Sequence, residues 1–207
     1  MISELVHEAT ELAHLRHFAA EVRAITLMKM DIPLPICTRD REILEKIIMP
    51  YFAKNQDYCR VLFVGTAKYT WHYRKIFSEK EYWTIEPRIL DAVYGSKKHI
   101  IGYLDYIDRY FEENSLDLII CNGVLGYGLN DPDEIESTFN KCYLCLREGG
   151  VLVVGWNNRK EFSFLPLEKY KSLQKFQPFT FTPLGKHTFP ILSENPHTFS
   201  FFSKPNS

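Results

Sequence analysis

A glycine and a glutamate, about 20 positions apart, are the two residues whose types and spacing best fit the chemistry of a ligand site. Gly65 follows the apolar run RVLFV, and Glu86 ends the next run, YWTIE. Glycine carries no Cβ, so a ligand can approach its backbone closely. A carboxylate at this distance from such a turn commonly accepts hydrogen bonds from ribose hydroxyls. The pair therefore predicts a nucleoside site, against the alternative of a plain turn and a solvated glutamate.

The composition of the turn limits which nucleoside can bind there. Thr66, Ala67, Lys68 and Tyr69 follow the single glycine, and a helix is predicted to begin at about Tyr69. A dinucleotide pyrophosphate needs several glycine amides around its charge, and the G-x-x-x-x-G-K-[ST] pattern of a P-loop is absent. S-adenosylmethionine has a ribose and an adenine but no phosphate, so it tolerates this turn. We therefore expect S-adenosylmethionine as the cofactor and keep a nicotinamide-dependent oxidoreductase as a rival class.

Two helices are predicted before this site. Over residues 3–29, apolar residues recur at three-, four- and seven-residue spacings, which predicts an amphipathic helix. Its apolar positions are Leu5, Ala9, Leu12, Ala19 and Val22. Pro33 and Pro35 end this pattern, since proline cannot continue a helix. A second helix is predicted from about Asp40 to Lys54.

Five apolar runs follow, separated by helix-like stretches: RVLFVG, YWTIEP, HIIGY, LDLIICNG and GVLVVGW. Runs that are apolar on both faces and alternate with helices indicate parallel strands covered on both sides. In the clearest helix, Asp131 is the expected N-cap, and Gly149 with Gly150 is the expected stop. A short helix around residues 167–173 precedes two further runs, FQPFTFTP and HTFSFFSKP, whose loop connection indicates an antiparallel pair.

These elements predict a single α/β domain over residues 1–207. The expected sheet has seven strands and is mostly parallel and doubly wound, with an antiparallel C-terminal strand. Residues 1–35 form an N-terminal helical extension, which either folds over the ligand site as a lid or packs for stability alone. Residues 36–205 form the α/β core.

Residues from about 40 to 205 resemble the class I S-adenosylmethionine-dependent methyltransferases, which have a Rossmann-like fold. VLFVGTAKYTWHY stands where that family has its cofactor turn, TIEP resembles its acidic second-strand end, and GGVLVVGW resembles its fifth strand. The family's turn usually contains more glycines. Their absence here leaves open a second reading, a protein that binds the cofactor without transferring its methyl group.

The resemblance implies four groups of cofactor-binding residues. The turn after the first strand would hold the methionine part, and the end of the second strand would hold the ribose. The end of the third strand would flank the adenine, and the end of the fourth would lie beside the sulfonium. In chain order these residues are Gly65, Thr66, Ala67, Tyr69, Glu86, Pro87, Tyr103, Leu104, Asn122, Gly123 and Val124.

Methyl transfer is an in-line displacement, in which the enzyme mainly positions the acceptor and excludes water. A base helps where the acceptor must lose a proton. His72 is the candidate for this role, and His187 and His197, near the C-terminal hairpin, are weaker candidates.

Aromatic residues near the strand ends are the expected walls of a substrate pocket. They are Tyr127, Trp71 and Trp156, although core packing is an alternative for each. The Asn/Asp-Pro-Pro-aromatic pattern of N-methyltransferases is absent, because Asn122 is followed by Gly-Val-Leu. We therefore expect the acceptor to be an oxygen on a small-molecule metabolite.

Charge and composition argue against several other classes. The 207 residues carry a formal net charge of -1, which gives no electrostatic reason to expect nucleic acid or an anionic membrane. No apolar run reaches the ~18 residues of a membrane helix, and Glu4, Glu8 and Glu11 stand where a signal peptide would be basic. We expect a cytoplasmic protein with a small-molecule substrate, and a homodimer is a further expectation.

Cysteines and histidines give no metal-binding pattern. The five cysteines show no paired spacing, and Cys142 with Cys145 fits two thiols in a buried helix. His7, His14 and His17 lack carboxylate or cysteine partners at metal-ligand spacing. We expect reduced thiols and no metal.

Overall fold

The computed structural model describes residues 2–34, 36–157, 166–192 and 196–206; the side chains of residues 2–6, 8 and 9 lie outside the described part. Its α-helices are α1 Ile2–Lys29, α2 Arg39–Ile43, α3 Met49–Lys54, α4 Tyr73–Ile76, α5 Pro132–Cys145 and α6 Lys171–Gln174. A π-helical turn, Leu44–Ile48, connects α2 to α3. Short 3-10 helices cover Ile89–Tyr94, Leu104–Arg109, Leu167–Lys169 and Thr182–Leu184.

The strands form one eight-stranded sheet in the order β3-β2-β1-β4-β5-β8-β6, with β7 also paired to β8. Their bounds are β1 Arg60–Val64, β2 Glu81–Glu86, β3 Lys98–Ile101, β4 Leu116–Asn122, β5 Leu146–Asn157, β6 Gln177–Pro178, β7 Thr188–Ile191 and β8 His197–Ser203. Strands β1 to β5 are parallel, and β8 is antiparallel to β5. The predicted fold class is confirmed. The structure has eight strands where the sequence predicts seven. Two short strands, β6 and β7, pair with opposite ends of β8 and together form the outer edge of the sheet.

The register of the parallel strands brings their carboxyl ends to one edge of the sheet. Val64 is opposite Ile85 on one side and Cys121 on the other, and Asn122 is opposite Gly155. The residues that follow or end these strands therefore lie close together in space, although the sequence separates them widely.

Both faces of the sheet are buried, as the apolar runs predict. Along β1, Leu62 and Val64 belong to one core cluster, and Val61 and Phe63 belong to the other. The first cluster includes side chains of α5, and the second includes side chains of α2 and α3. The alternation follows from the two-residue period of a strand.

Two helix boundaries differ from the prediction. The helix expected at about Tyr69 begins only at Tyr73 and has four residues. Helix α5 begins as expected, because Asp131 Oδ1 accepts hydrogen bonds from the next free backbone N–H groups at 2.9 and 3.1 Å. It ends at Cys145 rather than near Gly149, because the chain enters β5 at once and pairs Leu146 with Leu116 of β4.

Helix α1 confirms the predicted helix, but its apolar stripe is not packed. Ala24 is buried, and Ile25 and Met28 pack beside it against Trp71 and Tyr94. The stripe residues that the structure describes are exposed, at 49% for Leu12 and 47% for Val22. Leu5 and Ala9 lie outside the described side chains. Among the side chains that the structure describes, the apolar ones that pack α1 against the body therefore lie near its C-terminal end, outside the predicted stripe.

In the part of the chain that the structure describes, no helix combines the length and the apolar character needed to cross a membrane. All five cysteines are free thiols, and Cys142 and Cys145 are buried in α5, as the sequence indicated.

Candidate active site

A cavity of about 780 Å³ opens at the carboxyl edge of the sheet, beyond the ends of β1, β2 and β4. The predicted residues that line it are Gly65, Thr66, Ala67, Tyr69, Glu86, Pro87, Tyr103, Leu104, Asn122, Gly123, Val124 and Tyr127. The structure therefore brings together residues from four separate turns. Their roles in binding stay predictions.

The turn after β1 keeps its shape with a single glycine. Gly65 has a φ of +86°, and a Cβ added there would meet nothing within 4 Å. Side chains stabilise the rest of the turn, since Thr66 Oγ1 donates to the Asp91 carbonyl at 3.0 Å and Thr70 Oγ1 accepts from Ala67 N at 3.0 Å. Threonine hydroxyls thus hold the turn in this shape, and its backbone at Gly65 stays open to a ligand.

Glu86 is held by one of its two carboxylate oxygens. The side chain is only 7% exposed, and Oε1 accepts from Arg88 N at 3.1 Å and from Arg88 Nε at 2.8 Å. Arg88 also forms an ion pair with Asp91 at 2.8 Å, and its hydrogen bond to Glu86 raises the pKa of the guanidinium. Among the described residues these contacts use Oε1 alone, so Oε2 is available to accept hydrogen bonds from a ligand.

The third group surrounds the start of the 3-10 helix Leu104–Arg109. Leu104 is buried, and Tyr103 is exposed beside it at the cavity wall. Asp105 also lines the cavity, and sequence reasoning missed it. Its signal was present, since GYLD carries an acidic residue just beyond the two predicted residues. This carboxylate is an acceptor at the end of the cavity where the adenine is expected.

Arg41, in α2, supplies a positive charge to the cavity wall. Its guanidinium lies 4.6 Å from the centre of the Tyr69 ring, and Nη1 donates to the Tyr73 hydroxyl at 3.0 Å. Burial opposes the charged form, but the neighbouring tyrosine oxygens outweigh it and leave the pKa of Arg41 raised. No described carboxylate forms an ion pair with Arg41, so its remaining N–H groups can bind an anion in the cavity.

A chain of four hydrogen-bonded side chains lies beside the end of β4. His197 Nδ1 is 2.7 Å from Asn157 Oδ1, and His197 Nε2 is 3.1 Å from Asn122 Oδ1. Asn157 Nδ2 donates to the Tyr127 hydroxyl at 3.0 Å. Burial lowers the pKa of His197 to about 4, so its imidazole is neutral at pH 7. Two members of this chain, Asn122 and Tyr127, line the cavity.

The similarity of this chain to known proteins is a similarity of fold. No protein-family model matches the chain, and no curated protein matches its sequence. The N-methyltransferase NodS from Bradyrhizobium japonicum is 13% identical, with a TM-score of 0.61 over 81% of this chain and 97% of NodS. The [4+2]-cyclase SpnF is 11% identical, with a TM-score of 0.60 over 92% and 95%. The CurJ carbon methyltransferase is 16% identical, with a TM-score of 0.53 over 79% and 54%.

The chain has the fold of the class I S-adenosylmethionine-dependent methyltransferases. The strand order and the antiparallel β8 agree with the fold expected from the sequence. NodS has also been solved in complex with S-adenosyl-L-homocysteine.

Three predicted site residues lie elsewhere in this methyltransferase fold, and none lines the cavity. His72 Nε2 is 3.6 Å from Glu45 Oε2, in the π-helical turn after α2. Trp71 is 1% exposed and packs against Tyr94 and Ala24 of α1. The turn after β1 curls after Tyr69, so the side chains of Trp71 and His72 pack against other elements and do not line the cavity. This position does not fit the predicted role of His72 as the base.

The third displaced residue is Trp156, whose position follows from strand alternation. Gly155 lies against Asn122, and Asn157 contacts His197. Gly155 and Asn157 therefore share one face of β5, and Trp156 between them points to the opposite face. It packs against the core cluster that contains α5, and its Nε1 donates to Ser200 Oγ at 3.4 Å. His187 is exposed and also lies off the cavity. Among the described residues, no group of three or more side chains could hold a metal ion.

Proposed function

We propose that this protein binds S-adenosylmethionine in the cavity and transfers its methyl group to a small-molecule acceptor. One observation carries the proposal: the same cavity is lined by the open backbone of Gly65 and by the carboxylate of Glu86, which has one oxygen available. The fold supports it, because NodS has the same fold and was solved with S-adenosyl-L-homocysteine.

Each part of the ligand has a matching group in this proposal. Glu86 accepts hydrogen bonds from the ribose hydroxyls, and the backbone at Gly65 faces the methionine part. Arg41 binds the methionine carboxylate, since it is the described cavity cation without an ion pair. Asp105, beside Tyr103, accepts a hydrogen bond from the adenine amino group. S-adenosylmethionine supplies a methyl group on a positively charged sulfur, and these residues hold that group in line with the acceptor.

We propose an oxygen atom on a metabolite as the acceptor. The sequence after Asn122 lacks the pattern of N-methyltransferases of amino groups, although the structural neighbours include an N-methyltransferase and a carbon methyltransferase. The formal net charge of -1 favours a small molecule over nucleic acid or a membrane surface. We also propose that the protein is cytoplasmic.

A second candidate is a protein that binds this cofactor without transferring the methyl group. Two observations favour it as the alternative. The turn has one glycine where the family usually has several, and SpnF, which shares the fold over 92% of this chain, is a [4+2]-cyclase. Tight binding of S-adenosylhomocysteine with no methyl transfer to a broad panel of acceptors would favour this candidate.

We also propose that two copies of the chain associate through α1. Its exposed apolar stripe includes two residues of the predicted stripe, Leu12 and Val22, and also Leu15 and Phe18. The first twelve positions carry Glu4, Glu8 and Glu11 with no lysine or arginine, whereas positions 13–29 carry Arg16, Arg23 and Lys29 against Glu21. An antiparallel pair of α1 helices therefore places the acidic end of one opposite the basic end of the other.

The cofactor proposal is tested by calorimetry with S-adenosylhomocysteine, and with NAD as the competing ligand. We expect S-adenosylhomocysteine to bind and to raise the melting temperature, since a ligand at 100 times its Kd stabilises the folded state by about 2.7 kcal/mol. Glu86→Ala should weaken binding at least tenfold, because a hydrogen bond to a charged group contributes about 1.5–3 kcal/mol.

Glu168→Gln is the matched control, since Glu168 is exposed and lies outside the cavity. It should leave the affinity for S-adenosylhomocysteine unchanged. Binding of NAD in place of S-adenosylhomocysteine would identify the oxidoreductase class instead. Equal affinities for the wild-type protein and Glu86→Ala would remove the basis of the proposed site.

A further inference from the structure

His197 is a buried titratable residue that the proposed function does not use. It begins β8, where it is paired with Asn157 of β5, and it is 4% exposed. Its two ring nitrogens contact different residues, Asn157 through Nδ1 and Asn122 through Nε2. The imidazole therefore connects the antiparallel edge of the sheet to the end of β4, where the cavity begins.

Both amide oxygens, of Asn157 and of Asn122, face the imidazole in the structure, and a neutral ring has one N–H, so one of the two amides must be turned. With Asn157 kept as it is placed, the amide that turns is that of Asn122. Asn157 Nδ2 donates to the Tyr127 hydroxyl, so its Oδ1 is the atom that faces His197 at 2.7 Å. An amide oxygen can only accept, and Nδ1 must therefore carry the hydrogen. Because burial lowers the pKa of His197, the ring is neutral and has a single N–H. Nε2 is left as an acceptor.

An acceptor at Nε2 requires a donor from Asn122. Asn122 Oδ1 lies 3.1 Å from Nε2, and two acceptors cannot form a hydrogen bond. A half-turn of the Asn122 amide exchanges its oxygen and nitrogen in place and gives an N–H donor to Nε2. The Asn122 oxygen is then the amide atom not bonded to His197, on a residue that lines the cavity.

Gly155 leaves just enough room for this amide. A Cβ at Gly155 would lie 1.9 Å from Asn122 Oδ1 and 2.9 Å from His197 Nε2. The amide of Asn122 is thus held between the bare backbone of β5 and the imidazole, and it has little freedom to move elsewhere.

We propose that His197 is a positioning residue, which binds the Asn122 N–H at Nε2 and so turns the Asn122 oxygen toward the hydroxyl or amine that receives the methyl group. This inference rests on the proposed function. It adds the requirement that the acceptor atom carries a hydrogen, because an amide oxygen needs a donor; a hydroxyl, the acceptor proposed above, meets it, and so would an amine. Fixing that hydrogen bond orients the acceptor's lone pair for the in-line displacement. The bond from the methyl carbon to sulfur breaks as the bond to the acceptor forms, and the proton that the acceptor loses passes to solvent water.

The arrangement is tested first without any ligand, by 15N NMR of the histidine side chains at pH 7. His197 is assigned by the signal that disappears in His197→Gln. The expected result is a neutral ring protonated at Nδ1. A ring protonated at Nε2, or at both nitrogens, would overturn the proposal.

Two variants then separate positioning from structural support. In His197→Gln the amide group reaches the position of Nε2, and in His197→Asn it reaches only the position of Nδ1. We expect hydrogen exchange of the Asn122 side-chain NH₂ to remain protected in His197→Gln and to become about tenfold faster in His197→Asn, as loss of one hydrogen bond implies. Equal protection in the two variants, with both folded by circular dichroism, would contradict the positioning role.

Calorimetry with S-adenosylhomocysteine keeps this inference separate from the proposed function. Failure of the wild-type protein to bind that ligand would overturn the function, and the proposal about the methyl acceptor would fall with it, whatever the NMR result. Binding by the wild-type protein with a ring protonated at Nε2 would retain the function and overturn the role of His197.

Discussion

The guanidinium of Arg41 illustrates how single residues in this site depend on neighbours that are distant in the sequence. Tyr69 lies against it, and Tyr73 accepts one of its hydrogen bonds and donates to Glu45 at 2.7 Å. Nothing in the local pattern around Arg41 distinguishes it from Arg39, two positions earlier. The contact with the turn after β1 is what brings one arginine, and not the other, to the cavity wall.

Replacement of Arg41 by methionine tests its proposed ionic contact. We expect Arg41→Met to weaken binding of S-adenosylhomocysteine at least tenfold, because a hydrogen bond to a charged group contributes about 1.5–3 kcal/mol. Affinity for 5′-methylthioadenosine, which lacks the amino-acid part, should be unchanged. Calorimetry with both ligands measures the difference.

Arg39→Met is the control for this substitution, because Arg39 pairs with the exposed Glu42 at 2.7 Å and does not line the cavity. It should bind both ligands like the wild-type protein. If Arg41→Met reduced affinity for both ligands equally, the carboxylate contact would be wrong.

At the scale of elements, the packing of β4, β5 and β8 determines the shape of the site. Asn122 ends β4 and lies on Gly155 of β5, and His197 of β8 closes the other side. The backbone at Gly155 must be bare because the Asn122 side chain occupies the space of a Cβ. The pairing of β4, β5 and β8 and the hydrogen bonds between the Asn122, His197 and Asn157 side chains therefore depend on one another.

A methyl group added at Gly155 should be destabilising. Gly155→Ala forces Asn122 or His197 to move, and we expect a loss of about 1–3 kcal/mol, as overpacking typically costs. Gly128→Ala is the matched comparison, because a Cβ there meets nothing within 4 Å, and its effect should be within about 0.5 kcal/mol. Urea unfolding measures both values, and equal midpoints for the two variants would show that the contact with Asn122 does not constrain Gly155.

At the scale of the whole molecule, α1 is attached to the body mainly through its C-terminal part. Glu21 forms an ion pair with Lys68 at 3.0 Å and accepts from the Tyr94 hydroxyl at 2.7 Å. None of the described residues of α1 lines the cavity, so the lid stays a prediction. The exposed stripe is instead the surface that a second copy would cover.

The proposed dimer can be tested by light scattering coupled to size-exclusion chromatography. We expect the wild-type protein to have the mass of two chains and the double variant Leu15→Glu, Phe18→Glu to have the mass of one, since glutamates interrupt the stripe. Leu192→Glu is the control, because Leu192 is 93% exposed next to β7, beyond the opposite edge of the sheet. A wild-type mass of one chain would refute the dimer.

The sequence alone determined the order of the elements and the edge at which the site lies. Runs apolar on both faces specify buried parallel strands, and Asp131 begins α5 through bonds to its own neighbours. These signals are local, so they can be read without knowing the fold. Gly65, Glu86 and Asn122 could be predicted as site residues because they end or directly follow strands, and strand ends share one edge in a parallel sheet.

Only the tertiary structure decided which side chains face the cavity. The direction of Trp71 and His72 depends on how an irregular turn curls against α1 and α2, and no periodic pattern describes it. Asn157 and His197 meet because β5 and β8 are paired in one register, although 40 positions separate them. The reason is that local sequence sets the backbone of an element, whereas the neighbours of a side chain come from distant parts of the chain.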